Sequence, residues 1–485
     1  MTMRRVPQMM LLLVAGLAAA TLLVAHEQVA SNAAQSVSLS QAIPVDPEIT
    51  VGSLSNGLRY YVRANPKPEK RAELRLVVKA GSILEDDDQR GLAHFAEHMA
   101  FNGTRNFPKH EVVSFLESLG MRFGADINAY TSFDETVYTL TIPTDKPETM
   151  DRALLVLEDW AQSITFDPVE IDKERGVVLE EWRVRRGAGA RMQDKVFPIW
   201  LKGSRYPERL PIGTPEVLKT FAPDRLTKFY TDWYRPDLMA VVAVGDFDRT
   251  ATEGLIKTHF SGLKSPAAPR ARPIYDIPDQ PGTRYVLMSD KEMTTTSVQM
   301  STLLPARTQG TVGFYRQEMV DRLFSAMLSA RLSEITQKAD APFIQAFAGR
   351  SIFLARTKES TGLTALVKED GTERGLDALL AEVERASRFG FTSTELDRQK
   401  QTTLRNYERI VAEKETRESQ SRASEYIRNF LENESLPTAD YEFALHQRFL
   451  PEVTLAEVNK LPAEWFPDRN RIVIAFGPDK AGLVL

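Results

Sequence analysis

Five consecutive residues, His94-Phe95-Ala96-Glu97-His98, bring two imidazoles and a carboxylate into one helical turn. At about 100° per residue, His94 and His98 share a face, so their ring nitrogens can meet one ion at ~2.0–2.1 Å. Glu97 stands beside that face, where a carboxylate can take a proton from an activated water. Neutral imidazole and carboxylate are donors suited to Zn²⁺. An ordinary amphipathic helix could carry the same polar residues on its wet side. Two histidines do not close a zinc site, so a third ligand decides between these readings.

The helix expected after Pro168 is rich in acid: Glu170, Asp172, Glu174, Glu180 and Glu181. Helical phase places Glu170, Glu174 and Glu181 within roughly 40° of one another and turns Glu180 about 100° away from Glu181. A solvated run of glutamates would be scattered around the helix. Here three carboxylates share one face.

A repeat narrows the choice. Residues 153–172 align with 378–397 at a constant shift, and seven of the twenty positions are identical. Both copies begin a helix with a capping residue, Asp167 or Thr392, followed three residues later by Glu170 or Glu395. In the second copy Glu174 is replaced by Gln399 and Glu181 by Asn406. The segment corresponding to the histidine helix, near Met319–Met327, has no histidine. Glu174 and Glu181 thus belong with His94 and His98, in the first copy only. Of the other histidines, His26 flanks the N-terminal apolar run. His110, His259 and His446 lack partners at ligand spacing and read as surface or packing residues.

The elements that would position these groups follow from hydrophobic periodicity. Asn56-Gly57 lies between two β-rich runs, 49–54 and 58–64, and predicts a hairpin. Further strands are expected at 72–79, 121–130, 135–143 and 239–244. Helices are expected at 107–119, 146–163 and 168–186. The acidic loop Glu85–Asp88 reads as solvated. Five prolines between Pro266 and Pro281 mark a stiff linker. Strand-like segments then recur, helices cover most of 373–465, and 471–476 closes the chain as a strand. The expected fold is α+β: two related domains, each a mixed or antiparallel sheet packed with helices.

Composition excludes several classes. The 485 residues carry a net charge of −5, which gives no basic excess for nucleic acid. Cysteine is absent, so thiolate metal sites and disulfides are excluded. Arg4 and Arg5 precede an apolar run, Met9 to Ala25, and a small polar stretch, the pattern of a secretory signal. An uncleaved anchor is the lesser reading, and no other segment could span a bilayer. The expected divisions are a signal at 1–25, a flexible leader at 26–44, a catalytic domain at 45–262, a Pro-rich linker at 263–283 and a non-catalytic repeat domain at 284–485. The body is expected to be exported, to the periplasm first of all.

The His-x-x-Glu-His motif, followed by Glu174-Arg175-Gly176-Val177-Val178-Leu179-Glu180-Glu181, resembles the inverzincin metallopeptidases of the pitrilysin and insulinase family. Phe101-Asn102-Gly103-Thr104 and Asn128-Ala129-Tyr130-Thr131-Ser132 are similar to its bacterial exported members. The resemblance implies one Zn²⁺ per chain on His94, His98 and Glu181, with Glu97 as general base and Glu174 supporting the site. Helix phase also favours Glu181 over Glu180. It further implies that Asn128 and Ala129 lie on an edge strand along which a peptide or unfolded polypeptide substrate is laid out. Family members close as clamshells of two halves, and this chain corresponds to one. A second half is therefore an expected partner, as a homodimer, a heterodimer or a missing C-terminal half, and this half is expected to be weakly active or inactive alone. The family's Arg and Tyr from the second half have no match here. The alternative function is a non-catalytic or partner-dependent subunit on the same fold. The intact Glu97 argues against it, and also against a purely structural zinc site.

Overall fold

The computed structural model describes residues 37–109, 111–483 and 485. The expected signal and His110 lie outside them. Six strands build the first sheet: β1 (Thr50–Ser53), β2 (Arg59–Ala64), β3 (Arg71–Val78), β4 (Ile127–Thr131), β5 (Thr136–Pro143) and β6 (Met239–Gly245). Their spatial order is β1-β2-β6-β3-β5-β4. β1 and β2 form the antiparallel hairpin that Asn56-Gly57 predicts. β6 reads Met-Ala-Val-Val-Ala-Val-Gly and is buried throughout. A run without polar alternation suits a strand covered on both faces. β6 accordingly lies inside the sheet, parallel to β2 and antiparallel to β3.

The second sheet contains β7 (Thr283–Asp290), β8 (Thr296–Pro305), β9 (Gln345–Ile352), β10 (Lys358–Val367) and β11 (Arg471–Pro478), in the order β7-β11-β8-β10-β9. This reproduces β2-β6-β3-β5-β4 strand for strand, including the parallel pair at one side. The chain is thus α+β with two related domains, as the repeat implies.

The principal helices of the first domain are α1 (Leu92–Asn102), α2 (Glu111–Ser118), α3 (Pro147–Gln162), α4 (Pro168–Val184), α5 (Ala188–Trp200), α6 (Pro215–Thr220), α7 (Pro223–Trp233) and α8 (Arg249–Phe260). Those of the second are α9 (Val312–Thr336), α10 (Thr372–Phe389), α11 (Ser393–Ala412), α12 (Ser419–Glu432) and α13 (Ala439–Glu452). One face of the first sheet buries Leu74, Leu76, Tyr138 and Leu140 against Leu92, Phe95 and Met99 of α1 and Trp160 of α3. The opposite face is covered by a helix from the other domain. α12 lays Ala423, Tyr426 and Phe430 against Tyr61, Val77 and Val242. Their spacing of three and four residues is that of one apolar helix stripe. Tyr61 and Asn429 join across this contact, hydroxyl to amide oxygen, at 2.7 Å. In return α5 of the first domain packs on β7 of the second.

Two local expectations differ from the structure, and a third segment gains an attachment. Strand β4 is shorter than 121–130, because Gly124 adopts φ +86° and the Asp126 carboxylate accepts the Arg122 N–H, which closes a turn. The leader expected to be flexible over 26–44 is held over its described part. Ile43 N–H donates to Gly310 O (3.0 Å) and Gly313 N–H to Leu39 O (2.7 Å), while Val37 and Ile43 pack among Val312, Tyr315 and Leu445. The Pro-rich segment lies along the first domain: Arg272 donates to Lys79 O (2.7 Å), and Arg270 pairs with Asp86 and Asp232. Extended proline-rich backbone makes no internal hydrogen bonds, so its arginines supply the attachment.

Candidate metal centre

Helix α1 is buried on almost every side, so its N-terminal N–H groups need partners other than water. Glu85 supplies them. Its carboxylate accepts from Gly91 N–H (3.0 Å to each oxygen) and from Ala93 N–H (2.8 Å). Burial pushes the Glu85 carboxyl up to about 8, opposed by those N–H groups and by the Arg209 and Arg205 guanidinium groups. The acidic loop is therefore not merely solvated, since its first residue caps the histidine helix. Gly91 enters the helix at φ +99°, a conformation that penalises any Cβ, and its backbone lies against Gly213. Glu85→Ala is expected to cost about 2–4 kcal/mol of stability, because two buried N–H donors lose their acceptor. Glu85→Gln, which keeps an acceptor oxygen, is expected to cost less. Chemical denaturation of the three proteins measures both.

Phe95 anchors α1 in the core through an edge contact with Phe221, at 5.0 Å between ring centres. The opposite side presents His94 and His98 to α4. His94 Nε2 and His98 Nε2 lie 3.2 Å apart, and Glu181 Oε2 lies 3.6 Å from the first and 3.2 Å from the second. Tetrahedral donors at ~2.0–2.1 Å from one zinc ion stand roughly 3.3–3.4 Å from one another. The three atoms therefore fit a zinc-sized ion without rearrangement. Among the described residues this is the one such cluster of His, Asp and Glu.

The supporting contacts are ordered. His98 Nδ1–H donates to Glu174 Oε1 (2.7 Å), and Asn102 Nδ2 donates to Glu174 Oε2 (2.7 Å). This fixes the His98 ring with Nε2 turned toward Glu181, the carboxylate–histidine arrangement common at metal sites. Burial and the neighbouring His98 push the His94 imidazole down to about 4, which favours the neutral ring that metal coordination needs. Around His98 burial opposes the charge, but Glu174 and Glu181 outweigh it and carry the imidazole up to about 9. The His98 hydrogen bond in turn pulls Glu181 down to about 2. Arg185 pairs with the other Glu181 oxygen, which draws this arginine to the edge of the cluster.

Glu97 is buried beside the cluster and accepts from Thr131 Oγ1 at 2.7 Å. Burial raises its carboxyl above the ordinary range, and the Thr131 hydroxyl holds back part of that rise. Thr131 belongs to β4, the edge strand that also carries Asn128 and Ala129. Asn128 is exposed, and its Oδ1 accepts the Ala129 N–H at 2.9 Å. Of the other acids on α4, Glu180 points to solvent and pairs with Arg183, and Glu170 pairs with Lys173. His259 is held between Glu158 and Asp151, and His446 stacks on Tyr407, both away from the cluster. Sequence reasoning missed Glu85, Asn102 and Thr131 as supports. Asn102 and Thr131 stood inside quoted motifs, but nothing in those motifs says what they touch. Glu174→Gln is expected to weaken zinc affinity by about 10–100-fold, which competition with a chromophoric chelator would measure.

Two family models match the chain. Residues 60–194 match the insulinase model of peptidase family M16, and residues 220–403 match the M16 inactive-domain model. The chain belongs to peptidase family M16. Within that family it is 36% identical over 434 residues to a zinc protease PQQL-like protein of Arabidopsis thaliana, covering 89% of this chain and 42% of the relative. It is 30% identical over 427 residues to the probable zinc protease PqqL of Escherichia coli, covering 88% and 45%. The first half of the periplasmic protease PqqL from Escherichia coli superposes with a TM-score of 0.85 at 28% identity, covering 90% of this chain and 94% of that one. The chain spans about half the length of the curated relatives it matches. No helix among the described residues is long and apolar enough to cross a membrane.

Proposed function

We propose that this chain is the catalytic half of an exported M16 zinc endopeptidase acting on peptides or unfolded protein segments. The observation that carries this reading is the placement of Glu97, buried beside three donor atoms 3.2–3.6 Å apart. A structural zinc site has no use for such a carboxylate. His94, His98 and Glu181 would hold the ion, which when bound supplies a Lewis acid for the scissile carbonyl and acidifies water. Glu97 takes the water's proton and returns it to the leaving amine. Thr131 aims the Glu97 carboxylate, and Glu174 with Asn102 aims His98. The free edge of β4, at Asn128 and Ala129, offers a strand along which an extended peptide can add.

The catalytic domain corresponds to residues 45–262 and the non-catalytic domain to 284–485. The E. coli structural relative is described as periplasmic, which supports export to that compartment. Because the relatives are about twice as long, the working unit includes a second half, and activity depends on it. A metal chelator is expected to abolish peptide hydrolysis and stoichiometric zinc to restore it. Hydrolysis that survives complete metal removal would sink the proposal.

A further inference from the structure

The second domain has a cleft where the first has its metal cluster. α9 packs against α11 as α1 packs against α4. Gln399 and Asn406 hold the repeat positions of Glu174 and Glu181, and they line a cleft of about 530 Å³. Arg322 and Ala326, four residues apart on α9, face them from the other wall, as His94 and His98 do in the first domain. The change of residues reverses the charge. The charged side chains lining the cleft are Arg322, Arg405 and Arg409, while the carboxylates of Glu318 and Asp321 line the adjoining hollow that shares the Arg322 wall.

Arg322 is fixed at one wall. It donates to the Tyr407 hydroxyl at 3.0 Å and approaches Glu318 at 3.4 Å, and the Tyr407 ring stacks on His446 at 3.6 Å. Arg405 and Arg409 stand one helical turn apart, where like charges repel. Their contacts are neutral: Arg405 with Thr402 Oγ1 (3.3 Å) and Arg409 with Asn406 Oδ1 (2.9 Å). Neither has an ion-pair partner among the described residues, although most arginines of this chain do. An anion between them would turn that repulsion into paired, charge-assisted hydrogen bonds. The cleft is far larger than a bare carboxylate or phosphate, so it suits an anionic group carried on a longer chain.

We infer that this cleft of the non-catalytic domain binds a carboxylate of the polypeptide substrate, as an acidic side chain or a C-terminus. The assignment rests on the peptidase reading for the nature of the ligand. The test uses the full chain with Glu97→Gln, so that binding is read without turnover. A dye-labelled Gly/Ser peptide with an amidated C-terminus, which carries no carboxylate, is compared with the same peptide ending in a short run of glutamates and a free C-terminus, by fluorescence anisotropy. The acidic peptide is expected to bind about tenfold more tightly. That ratio should fall to about one in Arg405→Ala/Arg409→Ala, and the double lysine variant should keep part of it. Equal binding of both peptides by the parent protein, or an acidic preference unchanged in the alanine variant, overturns the assignment alone. Inorganic phosphate that stabilises the protein to heat with no acidic-peptide preference overturns it in favour of a free anion. Failure of both peptides to bind counts against the peptidase reading and this assignment together.

Discussion

Glu97→Gln is expected to leave zinc content unchanged while peptide hydrolysis falls by roughly 10²–10⁴-fold, the usual contribution of a positioned general base. The reason is geometric. Glu97 bonds to Thr131 rather than to the cluster, whose donors are His94, His98 and Glu181. An amide at position 97 can keep the Thr131 contact and fill the same volume, but it cannot accept a proton near neutral pH. Metal analysis beside single-turnover kinetics, with any required second half present, reads both quantities from one preparation. Equal activity of the two proteins would remove Glu97 from the mechanism.

Glu181→Ala and Glu180→Ala are expected to diverge completely. The first removes one of three donors and should take bound zinc from one per chain toward zero, with activity lost in parallel. The second removes an exposed carboxylate whose partner is Arg183, and exposed pairs of this kind contribute about 0–1 kcal/mol. Its metal content and activity should match the parent. The neighbouring positions make this a sharp comparison, because helix content and net charge change equally in both. Zinc retained by Glu181→Ala would falsify the ligand assignment.

The cluster was legible in sequence because helical periodicity is local. His94 with His98, and Glu174 with Glu181, are separated by whole turns or nearly so, and that phase survives whatever the helices pack against. The repeat added a comparison within one chain: a scaffold that kept Glu170 as Glu395 yet replaced Glu174 and Glu181. The supports were not legible in the same way. Glu85 acts on Gly91 and Ala93 across a turn whose path no periodicity describes. Thr131 reaches Glu97 only because β4 lies at the sheet edge beside α1. The second domain's cleft shows the same division. Sequence alignment identifies Gln399 and Asn406 as replacements, but the gathering of Arg322, Arg405 and Arg409 around them appears only when α9 and α11 are packed.

By itself the sequence determined the helix faces, from spacing along each element, and the two-copy α+β plan, from the repeat; it narrowed the metal donors to His94, His98 and the face shared by Glu174 and Glu181, and the family resemblance singled out Glu181. The tertiary structure decided how those elements meet. It placed β6 between β2 and β3, laid α12 across the back of the first sheet and α5 against β7, and brought Glu181 within 3.2 Å of His98. The physical reason is the range of the forces. Backbone hydrogen bonding fixes phase within a few residues. Apolar faces bury against whichever complementary face the whole chain provides, and a single sequence pattern cannot name that face in advance.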